Sequence, residues 1–151
     1  MTTQERIRSI FLFAKTTYTL SEAGELLEHS EGEIITAVER GDLEITREHE
    51  MPRIPWSELT LAAVERWPQE LIEASLGQDL SSVMPELVRL AELHVRVPRY
   101  GIVVAGRIAL REGTSIDHVV SRQLLDLAVG EADQHERSVA GLGAAIRWPL
   151  A

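Results

Sequence analysis

The sequence predicts a mainly α-helical protein with short β elements, and three observations carry that expectation. Apolar residues recur at helical spacing behind Ser or Thr through most of the chain. Two short apolar pieces, Leu43-Glu44-Ile45 and Arg53-Ile54-Pro55, break that period on either side of a polar turn. One stretch, Leu93 to Val97, alternates strictly between apolar and polar side chains, which is the period of a strand.

Residues 1–15 read as an N-terminal helix over 3–14, with Thr2 or Thr3 as cap and Ile7, Ile10, Phe11 and Ala14 on one face. A domain over 16–67 follows. Ser21 is the expected cap of a helix whose narrow core stripe is Ala23, Leu26 and Leu27. Ser30 caps the next, bearing Ile34, Ile35 and Val38 and stopping at Gly41. The two apolar pieces at 43–45 and 53–55 are expected to pair as a hairpin. Ser57 is expected to cap a helix carrying Leu59, Leu61, Ala62, Val64 and Trp67. Residues 68–90 contain Pro68, Gly77, Ser81, Ser82 and Pro85, the composition of a linker with helical stretches. Leu87, Leu90, Ala91 and Leu93 then suggest a helix leading into the next segment.

A second domain is expected over 91–130. Leu93, Val95 and Val97 point to one face of its strand, and His94 and Arg96 to the other. Pro98 ends the strand and suits the first turn of a helix that runs to Arg111-Glu112, with Gly113 just past its end. Thr114 or Ser115 caps another helix, with Ile116, Val119, Val120, Leu124, Leu125 and Leu127 as its apolar side. An alternative stays open: Ile102-Val103-Val104 is β-branched, and Gly101 and Gly106 each cost a helix ~1 kcal/mol, so 100–110 reads as a strand on those grounds. Residues 131–151 are a C-terminal helix and tail, broken at Gly141-Leu142-Gly143. The apolar end at Trp148-Pro149-Leu150 either folds back onto the core or anchors in a partner.

Composition bounds the chemistry. The 151 residues include no Cys, which excludes disulfides, a thiolate nucleophile and a Cys-type zinc site. No apolar run approaches the ~20 residues that span a bilayer, and Glu5 sits just ahead of the first run with no small-residue cleavage site after it, unlike a secretory signal. A cytoplasmic protein with no membrane partner is the expectation. The five histidines show no i,i+4 pair or two-His-plus-acid spacing, so no metal is expected. Ser115, Asp117 and His118 hold the atoms of a triad but crowd one helix start, where capping explains them. Gly141-Leu142-Gly143 lacks the rest of a dinucleotide fingerprint. No catalytic residue and no cofactor is expected, and the chain reads as something other than an enzyme.

The net charge is −9, which argues against indiscriminate coating of DNA. The charge is uneven. Within 93–111 there are Arg96, Arg99, Arg107, Arg111 and His94 and no acid, the one clearly cationic window. Arginine grips phosphate or guanine with a planar fork.

The run Tyr18-Thr19-Leu20-Ser21-Glu22-Ala23 with Leu26-Leu27, Ser30, Gly41-Asp42-Leu43 and Arg53-Ile54-Pro55-Trp56-Ser57-Glu58-Leu59 resembles the excisionase-type, MerR-like helix-turn-helix module, over about 18–67. The resemblance implies a winged helix-turn-helix in which Arg-Ile-Pro closes the wing. The second helix of that module would enter the major groove. Here it opens Glu31-Gly32-Glu33 and adds Glu39 before a single Arg40, so its charge opposes phosphate. Arg47 and Arg53 are the wing's weaker DNA candidates, offset by Glu44, Glu48 and Glu50.

The order strand, Arg96-Val97-Pro98, helix, Gly113-Thr114-Ser115, helix resembles the ribbon-helix-helix family of DNA-binding regulators over about 92–129. The resemblance implies a homodimer whose two strands pair as a ribbon in the major groove. Its base contacts would be His94 and Arg96, and its phosphate contacts Arg99, Thr114 and Ser115. It also implies a DNA-binding transcriptional regulator of repressor or antitoxin type, with operator-like duplex DNA as partner and a toxin or other regulator as a further protein partner. The competing expectation is a protein-interaction or scaffolding dimer that keeps both folds without binding DNA.

Overall fold

Helix α1, Thr3–Leu12, opens on a reciprocal cap: Thr2 Oγ1 accepts from the Glu5 amide, and the Glu5 carboxylate accepts from the Thr2 amide. The same device starts α2, Leu20–Leu27, through Thr19 and Glu22, and α3, Glu31–Arg40, through Ser30 and Glu33. The expected cap of α2 at Ser21 therefore moves back to Thr19, because Glu22 completes the box only from there. Between α2 and α3 the chain reverses at Glu28, whose φ of 58° is left-handed. The turn is tight enough that a Cβ on Gly24 would sit 2.7 Å from the His29 carbonyl oxygen. Only glycine fits there. Gly41, at φ 81°, ends α3.

The computed structural model describes residues 1–150 and is mainly helical with a small three-stranded antiparallel sheet of order β1-β3-β2. Strand β1 is Thr17–Tyr18, β2 is Thr46–Glu48 and β3 is Met51–Pro55. The hairpin forms, but its first strand starts at 46 rather than 43, because Leu43 is buried in the core and leaves the pairing to the exposed residues beyond it. His49 and Glu50 make the two-residue turn with φ of 50° and 65°. Strand β1, too short to show a period, pairs Thr17 with Pro55 and Tyr18 with Ile54. Helix α4, Trp56–Arg66, begins directly after Pro55 with no side-chain cap, so the cap expected at Ser57 is absent.

The chain divides into two compact units, Met1–Leu90 with the chain end from Arg147, and Ala91–Ile146. In the first unit one core gathers Ile7, Ile10, Tyr18, Leu27, Ile34, Ile54 and Leu59, all nearly inaccessible to solvent. The segment 68–90, expected as a linker, instead completes this core. Helix α5, Gln69–Leu76, buries Ile72 and Leu76, and Met84 is buried after the one-turn α6, Leu80–Val83. The helix expected over 87–93 does not form. Arg89 folds back to donate to the Met84 carbonyl, and the Glu73 carboxylate accepts from the Leu90 amide, so the chain turns where a helix would continue. Trp148 stacks on Phe11 with ring centres 5.9 Å apart and donates Nε1 to the Val83 carbonyl at 3.3 Å. The tail thus folds back onto its own core.

The second unit holds α7, Arg99–Glu112, and α8, Ile116–His135, which runs past the boundary expected at 130. Residues 100–110 are helix, which closes the strand alternative. Gly113, at φ 68°, reverses the chain between the helices. They meet through Ala109 and Val119, both buried, and through Ile116 beside Gly106. Arg122 pairs with Glu112 at 2.8 Å across the turn. Residues 90–98 carry neither helix nor ladder, so the strand expected at 93–97 is not formed in the single chain. A strand exists only against a neighbour, and no described segment lies alongside.

Candidate nucleic-acid interface

Every residue from 91 to 100 is exposed. His94 lies 3.4 Å from the Glu92 carboxylate, with both side chains almost wholly in solvent. Among the described residues Arg96 has no ion-pair partner, and neither do Arg99, the first residue of α7, and Arg107, two turns further along it. Arg111 approaches its neighbour Glu112 at 3.9 Å. Arginines elsewhere are mostly engaged: Arg8 with Asp79 at 2.6 Å, Arg66 with Glu28 at 2.9 Å, and Arg6 with both Glu28 and the Glu25 carbonyl. The cationic window therefore remains available as charge.

Thr114 and Ser115 sit at the turn into α8 but differ from each other. The Thr114 amide is committed to the Ala109 carbonyl at 2.9 Å as part of the α7 cap. It is thus withdrawn from any anion, and only the Thr114 hydroxyl is left to meet one. Ser115 accepts from the His118 amide at 3.1 Å and caps α8. The amides of Ser115, Ile116 and Asp117 have no partner among the described residues, the usual donor set of a helix start. The Asp117 carboxylate in that first turn opposes an incoming phosphate. No hydrogen bond or ion pair joins 93–99 to Thr114 or Ser115.

The arginines of the β2–β3 hairpin separate in the same way. Arg47 is exposed on β2 and has no ion-pair partner among the described residues. Arg53 is half-buried, donates Nε to Thr17 Oγ1 at 3.2 Å and lies 3.7 Å from Glu48. It braces the sheet instead of facing outward. On α3 the exposed side chains include Glu31, Glu33, Ile35, Glu39 and Arg40. Hydrogen bonds from the Ser30 amide and hydroxyl hold the Glu33 carboxyl below the usual carboxylate range, so it stays charged.

The feature that sequence reasoning missed is an open apolar groove of about 560 Å³ between α7 and α8. Tyr100, Val104 and Ile108 line it from α7, and Val120, Leu124 and Leu127 from α8. Leu124 is 49% and Leu127 61% exposed. The apolar spacing on α8 was visible in the sequence; that no described element of the second unit covers it was not. A second cleft, of about 600 Å³, lies between α3 and α4 and mixes Glu33, Asp42 and Glu65 with Arg40 and Arg66 over an apolar floor. No group of three His, Asp or Glu side chains among the described residues is placed to hold a metal, and no described helix is long and apolar enough to cross a membrane. Compared with protein-family models, curated proteins and solved structures, the chain matches none of them.

Proposed function

We propose that this chain is a DNA-binding transcriptional regulator, of repressor or antitoxin type, that contacts DNA through a β-ribbon built from residues 93–97 of two copies. One observation carries the reading: a fully exposed segment in which apolar Leu93, Val95 and Val97 alternate with His94 and with Arg96, which has no ion-pair partner among the described residues, beside an open apolar groove. A lone five-residue strand has unpaired edges and no core. A second copy supplies both, pairing the strands and closing the groove with its own α7 and α8. His94 and Arg96 then project into the major groove, while Arg99, Ser115 and the Thr114 hydroxyl approach the phosphates.

The test is a fluorescence titration of wild type, Arg96→Ala and Arg99→Ala on the chain's own promoter duplex and on a scrambled one, at several salt concentrations. Loss of Arg96 is expected to cost about 1–3 kcal/mol on the specific duplex alone. Loss of Arg99 is expected to weaken both duplexes alike and to lower the salt slope by about one unit per contact. Unchanged binding in both variants would overturn the ribbon as the reading surface.

A specific observation favours a second reading, a protein-interaction dimer. The first unit holds nine basic and seventeen acidic side chains, and its α3 turns glutamates to solvent where a helix-turn-helix would meet DNA. Under that reading the first unit recognises protein whatever the ribbon does.

A further inference from the structure

Two exposed helix stripes in this chain are mirror images in charge. On α3, Glu31, Ile35 and Glu39 follow one another at intervals of four residues, all exposed, with Ile35 at 40%. On α7, Arg99, Val103 and Arg107 do the same, with Val103 at 59%. Residues four apart line one side of a helix and advance ~6 Å along it, so each stripe is an apolar centre with like charges ~6 Å to either side. None of the four charged groups has an ion-pair partner among the described residues. Leu110, 82% exposed, widens the apolar part of the α7 stripe, and Arg111 extends its charge by another turn.

We infer that these stripes bind each other between copies: α3 of one chain lies against α7 of another, with Ile35 on Val103 and Glu31 and Glu39 against Arg99 and Arg107. Charge complementarity at matched spacing is the argument. Ridges of residues four apart are also the surface through which helices most often interdigitate. Both stripes read the same in either direction along the helix, so parallel and antiparallel docking satisfy the charges equally. The contact joins different surfaces on its two sides and uses none of the groove between α7 and α8. It therefore leaves a docked pair with one free stripe of each kind, one on each copy, and propagates beyond a pair, as a head-to-tail contact does. Its strength is electrostatic and falls with salt.

The experiment is sedimentation velocity of the full-length chain over a wide concentration range at low and at high salt. Wild type is expected to grow in mass with concentration at low salt and to lose that growth at high salt. Arg107→Glu and Glu39→Arg, each at an exposed position and each checked for unchanged circular dichroism, are expected to weaken the growth about tenfold or more. Reversing both stripes together, Arg99→Glu/Arg107→Glu with Glu31→Arg/Glu39→Arg, restores opposite charges in either docking direction and is expected to recover it, and so is an equal mixture of the Arg99→Glu/Arg107→Glu and Glu31→Arg/Glu39→Arg variants. Growth that persists in both single variants, a variant with both stripes reversed that fails to recover, or a wild-type mass that does not depend on concentration would each overturn the inference. A loss of DNA binding in Arg107→Glu with unchanged self-association would assign the α7 stripe to nucleic acid and overturn it as well.

Discussion

The two units of this chain handle the same problem in opposite ways. Of the eighteen buried apolar residues among those described, sixteen form the single core of the first unit, and only Ala109 and Val119 belong to the second. The first unit also pairs many of its own charges. Glu28 alone accepts from Thr3 and Arg66 and lies in an ion pair with Arg6, and so fastens α1, the α2–α3 turn and α4 together. The second unit leaves Leu124, Leu127, Val103 and Leu110 about half-exposed or more, and four arginines, Arg96, Arg99, Arg107 and Arg137, without an ion-pair partner among the described residues. Burial at ~25 cal/mol per Å² has to offset a conformational entropy loss of ~1–2 kcal/mol per residue. Sixteen interlocking side chains with reciprocal caps can do that, and two cannot. The first unit has a closed core, and the second buries only Ala109 and Val119 beside an open apolar groove.

The largest effect that would break this contrast comes from charging the open side. Val95→Asp places a carboxylate where two copies are proposed to meet, and burying it unpaired costs several kcal/mol. The variant is expected to lose dimer entirely by light scattering while its tryptophan fluorescence stays native, because Trp56, Trp67 and Trp148 all lie in the first unit. A core truncation should do the reverse. Ile54→Ala, at a fully buried site on β3, is expected to cost about 2–5 kcal/mol in the fluorescence melt of the first unit and to leave dimer mass unchanged.

Acid provides a graded probe of the first unit. Hydrogen bonds from Thr2 to Glu5, from Lys15 to Glu22 and from Arg66 to Glu28, with the Ser30 bonds to Glu33, hold all four carboxyls below the usual range. A lowered folded-state value means stability that is fully present above the unfolded value and is lost as pH falls through the folded one. The melting temperature read by tryptophan fluorescence is therefore expected to be flat near neutrality and to fall progressively below the usual carboxylate range. The smallest effect belongs to the β2–β3 hairpin. Glu50→Gly relieves a left-handed residue in the hairpin turn and is expected to raise first-unit stability by about 1 kcal/mol, measured by urea denaturation.

These differences also explain what could be read from the sequence. Helices α3 and α8 followed from Ser30, Gly41 and the Thr114-Ser115 pair, because caps and breakers act locally, whereas Pro98 and Gly113 pointed to α7 against β-branched Ile102-Val103-Val104, which left a strand open. Strand β1 did not follow, since Thr17 and Tyr18 become strand only by pairing with Pro55 and Ile54, far away in the chain. The segment 68–90 looked like a linker because its prolines and serines punctuate it, yet Ile72, Leu76 and Met84 find the core through long-range packing. At the candidate interface the free state of Arg96, Arg99 and Arg107 was readable from an acid-free window. The engagement of Arg53 with Thr17 and of the Thr114 amide with Ala109 was not, because both depend on partners placed by the fold.

The most direct test of the central claim is hydrogen–deuterium exchange on the full chain at high and at low protein concentration. If the second unit is half of a shared core, amides of α7 and α8 are protected at high concentration and lose that protection on dilution, while those of α1, α2 and α4 exchange at the same rates throughout. Protection of α7 and α8 that is unchanged on dilution, in a protein that sediments as a monomer, would contradict it.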